Sequence, residues 1–164
     1  MAGLKTGNLF TCPMEDKKTL NESIRRMNMK LVPRGVRLLP VKYLEKRVLI
    51  YMYRPDRLRA DLKDAQALSI LSEKAYPIDN ADKCVAELVR RVNSQETFPH
   101  EIGLFLGFIK YGADKAKCVG TWRVYGDEEA AKKKFALYKK CTRVYKDAYR
   151  RHNSFERLVV NGAR

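Results

Sequence analysis

His100 and Glu101 form an adjacent histidine–glutamate pair inside the otherwise apolar decamer FPHEIGLFLG at 98–107. An imidazole beside a carboxylate can ligate zinc or move a proton, so the chemistry is sought here first. Helical zinc peptidase sites need a second histidine four residues on, one turn along the same face, with glutamate between as base. That position is Leu104. The spacing fits a helix entrance instead. Pro99 is well placed in a first turn, where its missing N–H has no partner to lose, and Glu101 complements the positive end of the macrodipole. Ile102, Leu104, Phe105 and Leu106 then become core candidates.

A second arrangement with chemical potential is composite. His100, Glu101, Cys118 and Cys141 could hold zinc or iron, because thiolates and imidazole suit both metals. They lie on three separate stretches that would have to converge. The four cysteines (Cys12, Cys84, Cys118, Cys141) form no CxxC pair, so a zinc ribbon has no support, and reduced, buried thiols are expected. The chain has no GxxxxGK[ST], no GxGxxG and no nucleophile elbow. A binding protein without a cofactor is favoured over an enzyme.

The last third carries the binding chemistry. Phe135, Tyr138, Thr142, Tyr145 and Tyr149 recur at helical spacing, with Leu137, Cys141, Val144 and Ala148 beside them, predicting one broad packing face. Lys132, Lys139, Arg143, Lys146 and Arg150 share another face, flanked by Lys133, Lys140 and Arg151. Asp147 is the one acidic residue between Lys132 and Arg151, so the glutamates that ordinarily offset such a run are missing. A linear cationic stripe suits the phosphates of a nucleic-acid backbone, without reading sequence. An acidic protein is the other partner it would suit, and a solvated face that serves solubility alone is the third reading. The aromatic residues sit on the packing side, so base stacking is not indicated.

The elements that position these residues are those of an α+β domain. A helix is predicted over 14–31, where Leu20, Ile24, Met27 and Leu31 share a face and Pro33 and Gly35 follow. VRLLPVKYL and KRVLIYMYR predict a hairpin near 36–54, with Pro40 placing its first strand at a sheet edge. Helices follow from Pro55 through Leu62, over 64–76, and from Asn80 or Asp82, the last carrying Val85, Leu88, Val89 and Val92. KCVGTWRVY predicts a strand near 117–125 with Trp122 in the core; Gly126-Asp127 caps a helix from Glu128 to Arg151, and the tail SFERLVVNG can add a short element. The expectation is a single compact domain over 1–164, a small, largely antiparallel sheet covered by helices, ending in a long basic helix.

Composition agrees. With 164 residues and 45% hydrophobic content the chain is long enough for a core without disulfides. Its 34 Lys and Arg against 19 Asp and Glu give a formal charge of +15, which raises encounter rates with phosphates, anionic surfaces and acidic proteins. Neither a signal peptide nor a membrane span is read from the sequence, and a cytoplasmic location, with no membrane partner, is expected.

Four stretches carry a family resemblance: GLKTGNLF at 3–10, VLIYMYRPDRLRADL at 48–62, the decamer, and GTWRVYGDEEAAKKKFALYKKCTRVY at 120–145. In order and content they resemble a bacterial family known as domain of unknown function 3793. The resemblance implies an association with flavodoxin and ferrous-iron physiology, because members sit near such functions. Members also carry a cysteine-containing stretch upstream of the GLK segment and a Tyr-Pro turn after the decamer, where this chain runs from Gly107 directly into Phe108-Ile109-Lys110. Any family activity beside His100 is thereby put in question.

Two functional expectations follow. One is a non-enzymatic basic protein that contacts nucleic acid, a nucleoprotein or an acidic protein through its last long helix; a mobile-element inhibitor of a guided nuclease is one form of it. The alternative is a metal- or redox-associated accessory protein.

Overall fold

Three strands, β1 (Gly7–Pro13), β2 (Arg37–Tyr43) and β3 (Arg47–Tyr53), form an antiparallel sheet with β3 in the middle. The computed structural model describes residues 5–95, 97–107, 118–119, 123–124 and 128–152. They divide into a larger unit within 5–107 and a smaller one within 118–152.

β3 reads RVLIYMY, a β-branched and aromatic run suited to a strand packed on both faces. β2 and β3 are the hairpin expected near 36–54. Pro40 lies on an edge strand, where its missing N–H interrupts no further ladder. A register shift between Pro40 and Lys42 leaves Val41 as the extra residue of a bulge. β1 has no strand pattern of its own; it is placed by its register with β3, from Gly7 opposite Tyr53 to Pro13 opposite Arg47.

Alternation sorts the sheet into two faces. Leu49, Tyr51 and Tyr53 share one face with Leu9 and Leu39, and the Tyr51 and Tyr53 rings stack with centroids 4.6 Å apart. Against this face lies the main core. It draws Leu58 and Leu62 from α2 (Pro55–Asp61) and its end, Ala67 and Leu71 from α3 (Ala65–Glu73), and Cys84, Val85, Leu88 and Val92 from α4 (Ala81–Ser94). Ile102, Leu104 and Phe105 of the short α5 (Ile102–Phe105) complete it. The other face carries Val48, Ile50 and Leu38, and α1 (Lys17–Leu31) packs against β2 on this side with Ile24 and Leu31 buried.

Caps explain where the helices begin. Asp16 accepts from the Thr19 amide at 2.7 Å, Asp64 from Gln66 at 2.9 Å, and Asn80 from Asp82 at 2.8 Å. Pro55 opens α2 at its first position. After Leu31 the chain makes a 3-10 turn over Val32–Arg34 and then Gly35 at φ 71°, the left-handed residue that stops the helix. Side chains also seal the β2 edge. Asn28 of α1 receives the Leu38 N–H at 2.8 Å and donates to the Leu38 carbonyl at 2.9 Å, acting as a one-residue strand along it. Asn93 donates to the Val41 carbonyl at 2.7 Å, and Lys42 to the Val92 carbonyl at 2.9 Å, near the carboxyl end of α4.

In the smaller unit, strand structure within 117–125 takes the form of two short strands, β4 (Cys118–Val119) and β5 (Arg123–Val124), which pair antiparallel with each other. The sequence between them holds Gly120, a residue type that interrupts strand patterns. α6 runs Glu128–His152, 25 residues or about 37 Å. Trp122, the Gly126-Asp127 cap and the tail from 153 onward lie outside the described residues.

Candidate functional site

The decamer is a helix entrance whose two polar residues part company. Amide donations from Ile102 to Pro99, Gly103 to His100 and Leu104 to Glu101, at 3.0–3.3 Å, turn the chain into α5. Ile102, Leu104 and Phe105 are buried and Leu106 is half-buried. His100 is exposed, whereas Glu101 is buried. Glu101 makes no side-chain cap; its carboxylate accepts from the Tyr76 hydroxyl at 3.1 Å and from Arg91 Nη1 at 3.4 Å. Glu101 is thus held by Tyr76 and Arg91 rather than by the helix dipole that its position suggests. A four-residue helix offers little dipole, and a buried carboxylate needs a cation and a donor.

Arg91 is the hub of this network. Its guanidinium lies 4.2 Å over the Tyr76 ring and donates to Glu87 at 2.6 Å and to the Lys74 carbonyl. Glu87 also takes two bonds from Arg90, at 2.7 and 2.8 Å. Hydrogen bonds from Arg90 and Arg91 push the Glu87 carboxyl down to about 2. Burial first, then the charge of Glu101, raises the Tyr76 phenol above its ordinary range, so it stays a donor. These groups hold one another. The Glu87–Arg91 spacing of four was readable as a helical ion pair. The reach of Arg91 to Glu101 was not, since it depends on how α4 meets the decamer.

Three of the distinctive stretches meet at a second place. Tyr51 donates its hydroxyl to the Phe105 carbonyl, Thr6 donates to Asp61 at the end of α2, and the Arg54 amide donates to the Thr6 carbonyl at 2.8 Å. Gly7 sits where a Cβ would stand 2.5 Å from Tyr51 Cε2 and 2.7 Å from the Phe105 oxygen. Gly107, at φ 82°, leaves room for Thr6, whose Oγ1 a Cβ would approach to 2.9 Å. The motifs GLKTGNLF, VLIYMYRPDRLRADL and FPHEIGLFLG are thus a mutual latch of β1, β3, α2 and α5. Thr6, Gly7, Tyr51 and Asp61 were missed as a group, because no spacing along the chain links them.

The basic helix is where the sequence placed it. Lys132, Lys133, Lys139, Lys140, Arg143, Lys146, Arg150 and Arg151 all lie on α6 and all are exposed. Phe135 is buried, and Tyr138, Cys141, Tyr145 and Ala148 are half-buried. The packing face is narrower than the periodicity predicts: Leu137 and Val144 are exposed, at the edge away from Phe135, and Thr142 is exposed beside it. Thr142 bonds back to the Tyr138 carbonyl at 2.9 Å. Among the described residues, the ion pairs on α6 are Lys132–Glu129 at 3.6 Å and Arg150–Asp147 at 3.9 Å, both exposed and long. Pairs of this kind are worth little.

The cysteines offer less. Cys84 is buried, its thiol bonded to the Pro77 carbonyl at 3.2 Å, and burial, then the Asp79 charge, raises its ionisation above the usual thiol range. Cys12 and Cys141 are half-buried. The side chain of Cys118, which the composite set with His100, Glu101 and Cys141 requires, lies outside the described residues. Among the described residues, no three His, Cys, Asp or Glu stand together as a metal-holding group. No helix among them is long and apolar enough to cross a membrane.

The chain matches the model of a family described as a protein of unknown function, DUF3793, over residues 1–159. It belongs to that family. The latch and the decamer therefore sit within the family's span, as does α6. No curated protein and no solved structure matches it.

Proposed function

We propose that this chain is a non-enzymatic basic binding protein that contacts nucleic acid through the cationic face of α6. The supporting observation is the exposure of all eight named cations on one continuous helix with three carboxylates among its 25 residues. Exposed cations held this way gain affinity by releasing condensed counterions from phosphates. In the decamer, Arg91 and Tyr76 take up the Glu101 carboxylate. The helix supplies position and charge; phosphate contacts do not read sequence.

The test is binding of a mixed RNA and DNA pool by the wild-type chain and by the Lys139→Ala, Arg143→Ala, Lys146→Ala triple variant. The variant folds as the wild type does, because exposed substitutions stay within about 0.5 kcal/mol each. Its binding weakens across sequences alike. Equal binding by the two proteins, or none by either, defeats the proposal.

A further inference from the structure

We infer that the ligand of α6 is double-stranded DNA, with the helix lying in the major groove and its two rows of cations facing the phosphates of opposite walls. This rests on the reading of α6 as a nucleic-acid surface and specifies which nucleic acid.

The argument begins with the arrangement of charge around the helix axis. At about 100° per residue, Lys132, Lys139, Arg143, Lys146 and Arg150 fall within roughly 60° of arc. Lys133, Lys140 and Arg151 form a second row about 100° away. Both rows are exposed. Between them lie Ala136, which is small and exposed, and two carboxylates, Glu129 and Asp147, each paired with a cation of the first row, Lys132 at 3.6 Å and Arg150 at 3.9 Å. The buried Phe135 borders the first row, about 20° from Lys146, while the half-buried Tyr138, Cys141 and Tyr145 occupy the side opposite the strip, with the exposed Lys134 among them.

A surface with one cationic row suits any polyanion that runs along it. Two rows flanking a slim strip suit a ligand with a wall of negative charge on each side. The major groove of B-form DNA is about 12 Å wide, and a helix with its side chains is about 10–12 Å across. Double-stranded RNA does not present this shape, because its major groove is deep and narrow. Single strands are bound by stacking bases on exposed aromatic rings. Here Tyr138 and Tyr145 are half-buried, on the side away from the two rows. The strip between the rows carries no arginine, asparagine or glutamine, and its two carboxylates are paired with Lys132 and Arg150, so the contact is one of charge and shape.

The experiment compares the full chain on four labelled ligands of one sequence: duplex DNA, duplex RNA, single-stranded DNA and single-stranded RNA. Two variants accompany it, one with Lys139→Ala, Arg143→Ala and Lys146→Ala, the other with Lys133→Ala, Lys140→Ala and Arg151→Ala. Duplex DNA is expected to bind at least about tenfold more tightly than the others, with each variant losing about 2–3 from the magnitude of its salt slope. Duplex RNA or a single strand binding as well as duplex DNA overturns the groove assignment and leaves the proposed function standing. Loss on one row's variant alone also overturns it. No binding to any of the four removes the proposed function as well.

Discussion

Tyr51, at the centre of β3, donates its hydroxyl to the backbone carbonyl of Phe105 in α5, a bond between residues 54 positions apart and wholly buried. It joins the sheet to the decamer and sets the depth at which α5 enters the core. Gly7 lies against both partners, so the strand, the ring and the carbonyl form one close-packed point.

Substitution at that point should be felt strongly. Gly7→Ala places a methyl 2.5 Å from the Tyr51 ring, a clash with buried groups on both sides. Overpacking of this kind costs about 1–3 kcal/mol. Chemical denaturation of the variant measures it. Tyr51→Phe leaves the Phe105 carbonyl without its donor and is expected to lose about 1–2 kcal/mol in the same assay.

The two polar residues of the decamer should behave oppositely. Arg91→Met leaves the Glu101 carboxylate buried beside Tyr76 without its guanidinium, and breaking a buried pair this way costs about 3 kcal/mol or more. His100 is exposed, and His100→Ala should stay within about 0.5 kcal/mol. Equal losses for the two variants would contradict the separate roles assigned to them.

Ala75 follows α3 at φ 54°, with its amide bonded to Ser72 at 2.9 Å and the Tyr76 amide to Leu71 at 2.8 Å. This is the left-handed position that glycine ordinarily fills at a helix end, and alanine there is strained by its Cβ. Ala75→Gly is expected to raise stability by up to about 1 kcal/mol. A lower thermal midpoint in the variant would contradict that expectation.

Acid sensitivity follows from Glu87. Hydrogen bonds from Arg90 and Arg91 hold its folded value at about 2, below the ordinary 4.5. A depressed carboxylate contributes stability that is present above its ordinary value and lost as pH falls through the folded one. Urea midpoints followed from pH about 5 to about 2 should fall for the wild type, and Glu87→Gln should flatten that limb. An unchanged limb in the variant would remove Glu87 from the account.

Much of this fold could be read from local pattern. The β2–β3 hairpin, the helices through α4 and the extent of α6 follow from periodicity, caps and breakers that act within a few residues. β1 could not be read so, because GNLFTCP lacks alternation and is a strand by virtue of β3 beside it. The latch was equally hidden: Thr6 meets Asp61, and Tyr51 meets Phe105, across more than fifty residues. At α6 the cationic face was legible because it depends on helical spacing alone. Leu137 and Val144 were misplaced on the packing face because the width of a buried stripe depends on what the helix meets.

The salt dependence of binding to duplex DNA by the wild-type chain tests the central claim most directly. A duplex of about 20 base pairs is long enough for a helix of about 37 Å. If the cations of α6 release counterions from phosphates, the logarithm of the association constant falls against the logarithm of salt with a slope between about −4 and −7. A slope near zero, or no binding at low salt, would contradict the account.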